Sequence, residues 1–164
     1  MKIEGDSKIF INLTCRQNSL IFVLYQPKHT ADMEEELIHS EHIASSDEDI
    51  DLMWSHVSAG FDSRKNFVIE LKGTYYWTDE SGHGNCGERI ERKYTRAVVD
   101  KENTRILCNY LNCCLLELPS EMRDRFGDDC SCSIPGHIET IFKDMTDFLV
   151  DAGCQFTIRT GTVF

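Results

Sequence analysis

The sequence lacks any apolar run of the roughly 20 residues that a bilayer-spanning helix requires. Its first residues, MKIEGDSKIFINL, contain charged side chains where a secretory signal would need an unbroken apolar stretch. Only 3 of the 164 residues are proline and 10 are glycine, which excludes collagen-like and low-complexity chains. These absences predict a soluble cytoplasmic protein that makes no membrane contact, folded as a single globular domain over residues 1–164.

Basic residues are also scarce, with 17 Lys and Arg against 28 Asp and Glu and a net charge of −11. Such a charge repels phosphate backbones, and no Lys and Arg cluster is interleaved with aromatic residues, so direct nucleic-acid binding is not expected. The imbalance is strongest over residues 29–63, which contain ten acidic residues and neither Lys nor Arg. This acidic block favours a basic partner.

The common enzyme signatures are largely missing. The sequence contains no G-x-x-x-x-G-K-[ST] phosphate loop, no H-E-x-x-H zinc motif and no G-x-S-x-G nucleophile turn. His39-Ser-Glu41 matches half of a zinc deaminase signature, but the P-C-x-x-C half is absent. The sequence therefore favours a protein that is not an enzyme.

Cysteine and histidine provide the main alternative to that interpretation. Because the sequence shows no export signal, its eight cysteines are expected to be reduced thiols. An H-x-x-C-G turn and a later C-x-C segment followed by a histidine offer zinc ligands, although simple glycine-rich turns with partly buried cysteines explain the same residues. The candidate ligands of a structural zinc are His83, Cys86, Cys130, Cys132 and His137. No other cofactor is expected.

A catalytic cysteine is a second alternative that uses some of the same residues. Cys86 lies in the glycine-rich turn and could be activated as a nucleophile by His83 or His137. With six histidines and 28 carboxylates in the chain, however, chance alone places these residue types near one another.

Hydrophobic periodicity predicts an α+β fold: a five-stranded, mostly antiparallel sheet with helices packed on one face, in the order ββααββααβ. The predicted elements are a hairpin over 8–25, helices over 32–43 and 46–57 with Gly60 as the stop, strands over 66–78 and 88–99, a helix around 106–115 that ends before Pro119, a short helical turn over 120–126, a long helix over 133–152 and a strand over 156–164. The acidic block would then lie on two helices.

Together these patterns predict a small acidic protein-binding module, such as an inhibitor or immunity-type protein, that occludes a basic surface of its partner. That partner could be a nucleic-acid-binding enzyme or a toxin. A homo-oligomer that pairs exposed strand edges is a further alternative. The candidate contact residues are the acidic side chains and one aromatic residue of the predicted sheet: Glu34, Glu35, Glu36, Asp47, Glu48, Asp49 and Tyr76.

Overall fold

The structure is a computed structural model of the chain, and it describes residues 35–46, 54–77, 89–127 and 135–163. Five strands and three helices lie in these ranges. They are β1 (Ile38–Ser45), β2 (Trp54–Phe61), β3 (Phe67–Trp77), β4 (Arg89–Val99), α1 (Lys101–Leu111), α2 (Leu118–Phe126), α3 (Pro135–Asp151) and β5 (Thr157–Val163).

The strands form one antiparallel sheet in which the spatial order follows the chain order, from β1 to β5. All three helices lie in the connection between β4 and β5. The predicted α+β class and the five-stranded antiparallel sheet are therefore confirmed, but the predicted element order is wrong, because the described order is ββββαααβ. The predicted hairpin over 8–25 lies outside the described residues.

The two predicted acidic helices are wrong because their described parts belong to β1 and β2. Ser46, where the second of these helices was predicted to begin, instead closes the pair of strands. Its backbone N donates to Ser55 O at 2.9 Å, and the backbone N of Ser55 donates to its Oγ at 2.9 Å. Val57, Ala59 and Phe61 alternate along β2 and all point into the core. This period of two is the mark of a strand.

Gly60, predicted as a helix stop, lies inside β2 where β1 approaches it closely. A Cβ atom at this position would lie 2.9 Å from Ser40 Cα. The register of β1 shifts between Ile38 and Glu41 at the same place. The glycine is therefore explained by the close approach of two backbones and not by the end of a helix.

The helix boundaries follow local backbone chemistry. Helix α1 ends at Leu111 because Asn112 adopts a left-handed conformation with φ 53°. Pro119, predicted to terminate this helix, instead lies in the first turn of α2, where a missing N–H has no consequence. The predicted long helix and the strand after it are confirmed as α3 and β5, with Gly153 at φ 77° between them.

One face of the sheet and the helices share a single core. The sheet contributes alternate residues such as Val57, Ile69 and Ala97, and α3 contributes Ile138 and Met145, all of them buried. Burial of each of the larger side chains, the valine, isoleucine and methionine, contributes about 1.5–3 kcal/mol. The other face of the sheet is therefore the one that can carry polar side chains.

Candidate functional site

The sheet topology brings two acidic segments of the chain to the same end of the sheet. Segment 47–53 joins the end of β1 to the start of β2, and segment 78–88 joins the end of β3 to the start of β4. Because neighbouring strands are antiparallel and follow the chain order, both connections leave the sheet at the same end of the strands. Adjacent strands are about 4.8 Å apart. We call this end of the sheet, which is formed by Ser46, Trp54, Trp77 and Arg89, the acidic end.

Seven carboxylates and neither Lys nor Arg lie in the two segments that are attached to the acidic end. By contrast, the described residues contain 13 basic and 15 acidic side chains. The body of the fold is therefore close to electrically neutral. The nearest basic residues of the described sheet are those at the start of β4, namely Arg89, Arg92 and Lys93.

The candidate contact residues are divided between the two ends of the sheet. Asp47, Glu48 and Asp49 lie outside the described residues, and the sequence attaches them to Ser46 at the acidic end. Tyr76 is opposite Ile90 near that end, in the part of β3 that extends beyond the Trp54–Thr74 pair.

Glu34 lies outside the described residues, whereas Glu35 and Glu36 precede β1 at the opposite end. Since β1 has 8 residues, the two acidic groups are separated by about 25 Å.

Glu35 is tied to the body of the protein. Its Oε1 accepts a hydrogen bond of 2.8 Å from the backbone N of Ser63, and its carbonyl oxygen accepts one of 2.6 Å from Nη2 of Arg96. The hydrogen bonds from Ser63 hold the pKa of Glu35 below its usual value. Glu36 is exposed. Of these two carboxylates, only that of Glu36 is therefore available to a partner without the loss of a hydrogen bond to the body of the protein.

Only one of the five candidate zinc ligands is among the described residues. His137 is exposed near the start of α3, and His83, Cys86, Cys130 and Cys132 lie outside the described residues. Among the residues that the structure describes, no group of three or more His, Cys, Asp and Glu side chains could hold a metal ion. The zinc site and the Cys86 nucleophile stay predictions.

The four described cysteines are free thiols, and three of them have raised pKa values. Burial raises the pKa of Cys108, and it raises the pKa values of Cys113 and Cys154 to about 11. A thiol must lose its proton to act as a nucleophile or as a metal ligand. These three thiols are therefore protonated at neutral pH, as expected of structural cysteines.

A column of three aromatic rings lies on the sheet face opposite to the core. The rings of Trp54 and His56 stack with centroids 5.6 Å apart, and those of His56 and His42 stack at 4.8 Å. Burial, followed by the charges of His42 and Lys72, lowers the pKa of His56 to about 4. His56 is therefore neutral at physiological pH. The sequence pattern does not indicate this column, because both histidines lie in segments whose spacing predicts helices.

The same face contains a buried ion pair. Glu70 is 2% exposed and accepts a hydrogen bond from Nε of Arg96, which is opposite to it on β4. Its other oxygen is 3.2 Å from Nζ of Lys72. Lys72 is on the same strand as Glu70, so the cross-strand pair of Glu70 and Arg96 is the one that supports the register of β3 and β4. Glu70 is explained by folding and needs no ligand.

The glycines of segment 78–88 have the G-x-G-x-x-G spacing of a dinucleotide-binding loop, at Gly82, Gly84 and Gly87. That motif requires a strand before it and a helix after it, because the helix N-terminus holds the phosphates. Here the segment joins β3 and β4, which are antiparallel strands. The spacing therefore gives no support to nucleotide binding.

Comparison with protein-family models, with curated proteins and with solved structures gives no match. The described helices include none with the length and apolar content to cross a membrane.

Proposed function

We propose that this chain is a small cytoplasmic protein-binding module, of inhibitor or immunity type, that occludes a basic surface of a partner protein and has no catalytic role. The acidic end would make the contact, through Asp47, Glu48 and Asp49, with Tyr76 beside them. The observation that carries the proposal is that two acidic connections leave the same end of the sheet, while the described residues of the chain are together nearly neutral.

Electrostatics explains why this arrangement suits capture of a basic partner. Like charges that lie close together repel one another, and an oppositely charged surface relieves that repulsion. A concentrated patch of one sign can raise the association rate about 10-fold to 1000-fold at low salt. A nucleic-acid-binding enzyme or a toxin with a basic active site has the surface that such a patch recognises.

The proposal is tested by reversing two charges at the acidic end. The chain is immobilised and exposed to an extract of the cell that produces it, the bound proteins are identified by mass spectrometry, and the association rate of the purified partner is measured. The variant Asp47→Lys/Asp49→Lys should lower this rate at least about tenfold at low salt. Rising salt should reduce the rate for the wild type more than for the variant.

Asp144→Lys/Asp151→Lys is the matched control, because it makes the same chemical change at two exposed positions of α3. It should bind the partner at the wild-type rate. A second pair, Glu34→Lys/Glu36→Lys, asks whether the opposite end of β1 joins the contact. Equal capture by wild type and Asp47→Lys/Asp49→Lys, or turnover of a substrate by the purified chain, would contradict the proposal.

A further inference from the structure

A cavity of about 390 Å³ opens at the end of the sheet opposite to the acidic end, between α1 and the turn that joins β2 to β3. Its lining includes Lys65 from the turn and Lys101 and Arg105 from α1. The last two residues are four positions apart and so lie on the same helix face. The volume is within the range of about 300–1000 Å³ that is usual for small-molecule sites.

The turn holds Lys65 in a backbone conformation that lysine rarely adopts. Its φ is 64°, which is normally left to glycine or asparagine. The conformation is maintained by its backbone N, which donates to Asp62 O at 2.9 Å, and by Asp62, whose carboxylate accepts two hydrogen bonds from Asn66 at 2.8 and 2.9 Å. A lysine in this backbone conformation costs about 1–2 kcal/mol relative to an ordinary one.

The three cations of the cavity have no carboxylate partner among the described residues, although the chain is strongly acidic. Other described cations, such as Arg96 and Arg123, do form ion pairs. None of the described residues that line the cavity is a carboxylate. Three converging positive charges repel one another, and an anionic ligand would remove that repulsion.

The remaining lining offers an apolar wall and one amide. Leu115 is 46% exposed, and Asn109 supplies a donor and an acceptor. Cys108 adds an uncharged thiol, because burial raises its pKa. A ligand that satisfies all of these groups must combine a compact anion with an apolar portion.

We propose that this cavity binds a small organic phosphate, with its phosphate held by Lys65, Lys101 and Arg105 and its apolar portion against Leu115 and Cys108. Phosphate suits this set of cations, because lysine supplies point charges and arginine supplies a bidentate donor. The site shares no residue with the acidic end. Phosphate binding at this cavity is therefore independent of the proposed function.

Titration calorimetry at low ionic strength, with phenyl phosphate and ADP as probes and phenol and citrate as controls, tests the proposal. At least one of the two phosphates should bind with 1:1 stoichiometry and bind at least about tenfold more tightly than either control. Lys101→Gln and Arg105→Gln should each weaken that binding about tenfold. Arg92→Gln, which removes an exposed arginine outside the cavity, should leave the binding unchanged.

Lys65→Asn separates ligand binding from folding. Asparagine tolerates positive φ better than lysine, so this variant should unfold at the wild-type temperature or above it while it binds the phosphate about tenfold more weakly. The proposal is overturned if neither phosphate binds, if citrate binds as tightly as they do, or if the three cavity variants bind like wild type.

Discussion

Acidification should destabilise this protein through His56 before the carboxylates begin to titrate. Burial is the main reason that the pKa of His56 falls to about 4, and repulsion from His42 and Lys72 adds to it. In the unfolded chain the same ring has a pKa of about 6.5. Between these two values the unfolded state binds a proton and the folded state does not, so falling pH favours unfolding.

The magnitude follows from the difference between the two pKa values. The effect is absent above pH 6.5, grows as the pH falls and is complete below pH 4. Without solvent screening, the free energy of unfolding would fall by about 2 kcal/mol between pH 7.5 and pH 5.0. Because the ring keeps part of its contact with solvent, screening reduces this value, and we expect a loss of about 1 kcal/mol.

Urea unfolding of wild type and His56→Gln at pH 7.5, 6.5, 5.5 and 5.0 measures the effect. The wild type should lose about 1 kcal/mol more than the variant over this range. Glu35 and Asp100, whose pKa values are also lowered by hydrogen bonds, contribute equally to both proteins. An NMR titration of the His56 ring should have its midpoint near pH 4. His42→Gln should raise this midpoint only part of the way to the value of an exposed histidine, because burial is a larger cause of the lowered pKa than the charge of His42.

Parallel stability curves of wild type and His56→Gln between pH 7.5 and 5.0 would contradict this role of His56. An NMR midpoint of His56 near 6.5 would contradict it as well, because the column of stacked rings would then not remove the ring from water.

Two further predictions concern backbone contacts and are measured by urea unfolding at pH 7.5. Gly60→Ala should destabilise the protein by about 1–3 kcal/mol, because its Cβ would lie 2.9 Å from Ser40. Gly136→Ala in α3, where a Cβ meets nothing within 4 Å, should instead stabilise the protein by about 0.5–1 kcal/mol. Equal effects of the two substitutions would show that the approach of β1 to β2 is looser than described. Asp100→Ala should cost about 1 kcal/mol, because the carboxylate caps α1 by accepting from Asn103 N at 2.8 Å, and Asp100→Asn should recover most of it; an alanine variant as stable as wild type would show that the cap contributes nothing.

Local patterns identified the elements that contain long, regular periods. Helix α3 repeats apolar residues every three or four positions over 17 residues, and a glycine with positive φ follows it. The aromatic and β-branched residues of β3 and the facing residues of β4 predicted an antiparallel pair, and the structure confirms it. Such signals are local, because the side-chain period depends only on the backbone conformation.

The same local patterns failed for β1 and β2. Trp54 and Val57 are three positions apart, which predicts one face of a helix, whereas in β2 they lie on opposite faces of the sheet. Ser46 and Gly60 resemble a helix start and stop. What decides between helix and strand is the pairing of β1 with β2 and of β2 with β3, which buries Val57 and Ala59 and places Gly60 against Ser40. Short segments often depend on such tertiary contacts.

The sequence by itself determined the acidity of the chain, the α+β class, the terminal helix and the residue types available for binding. Only the tertiary structure divided the acidic block between two ends of a sheet, stacked His42 on His56, and brought Lys65 to the helix that carries Lys101 and Arg105. Charge and periodicity are properties of neighbouring residues along the chain. Which distant residues meet depends on strand order and helix packing, and those are set by burial of the whole core at once.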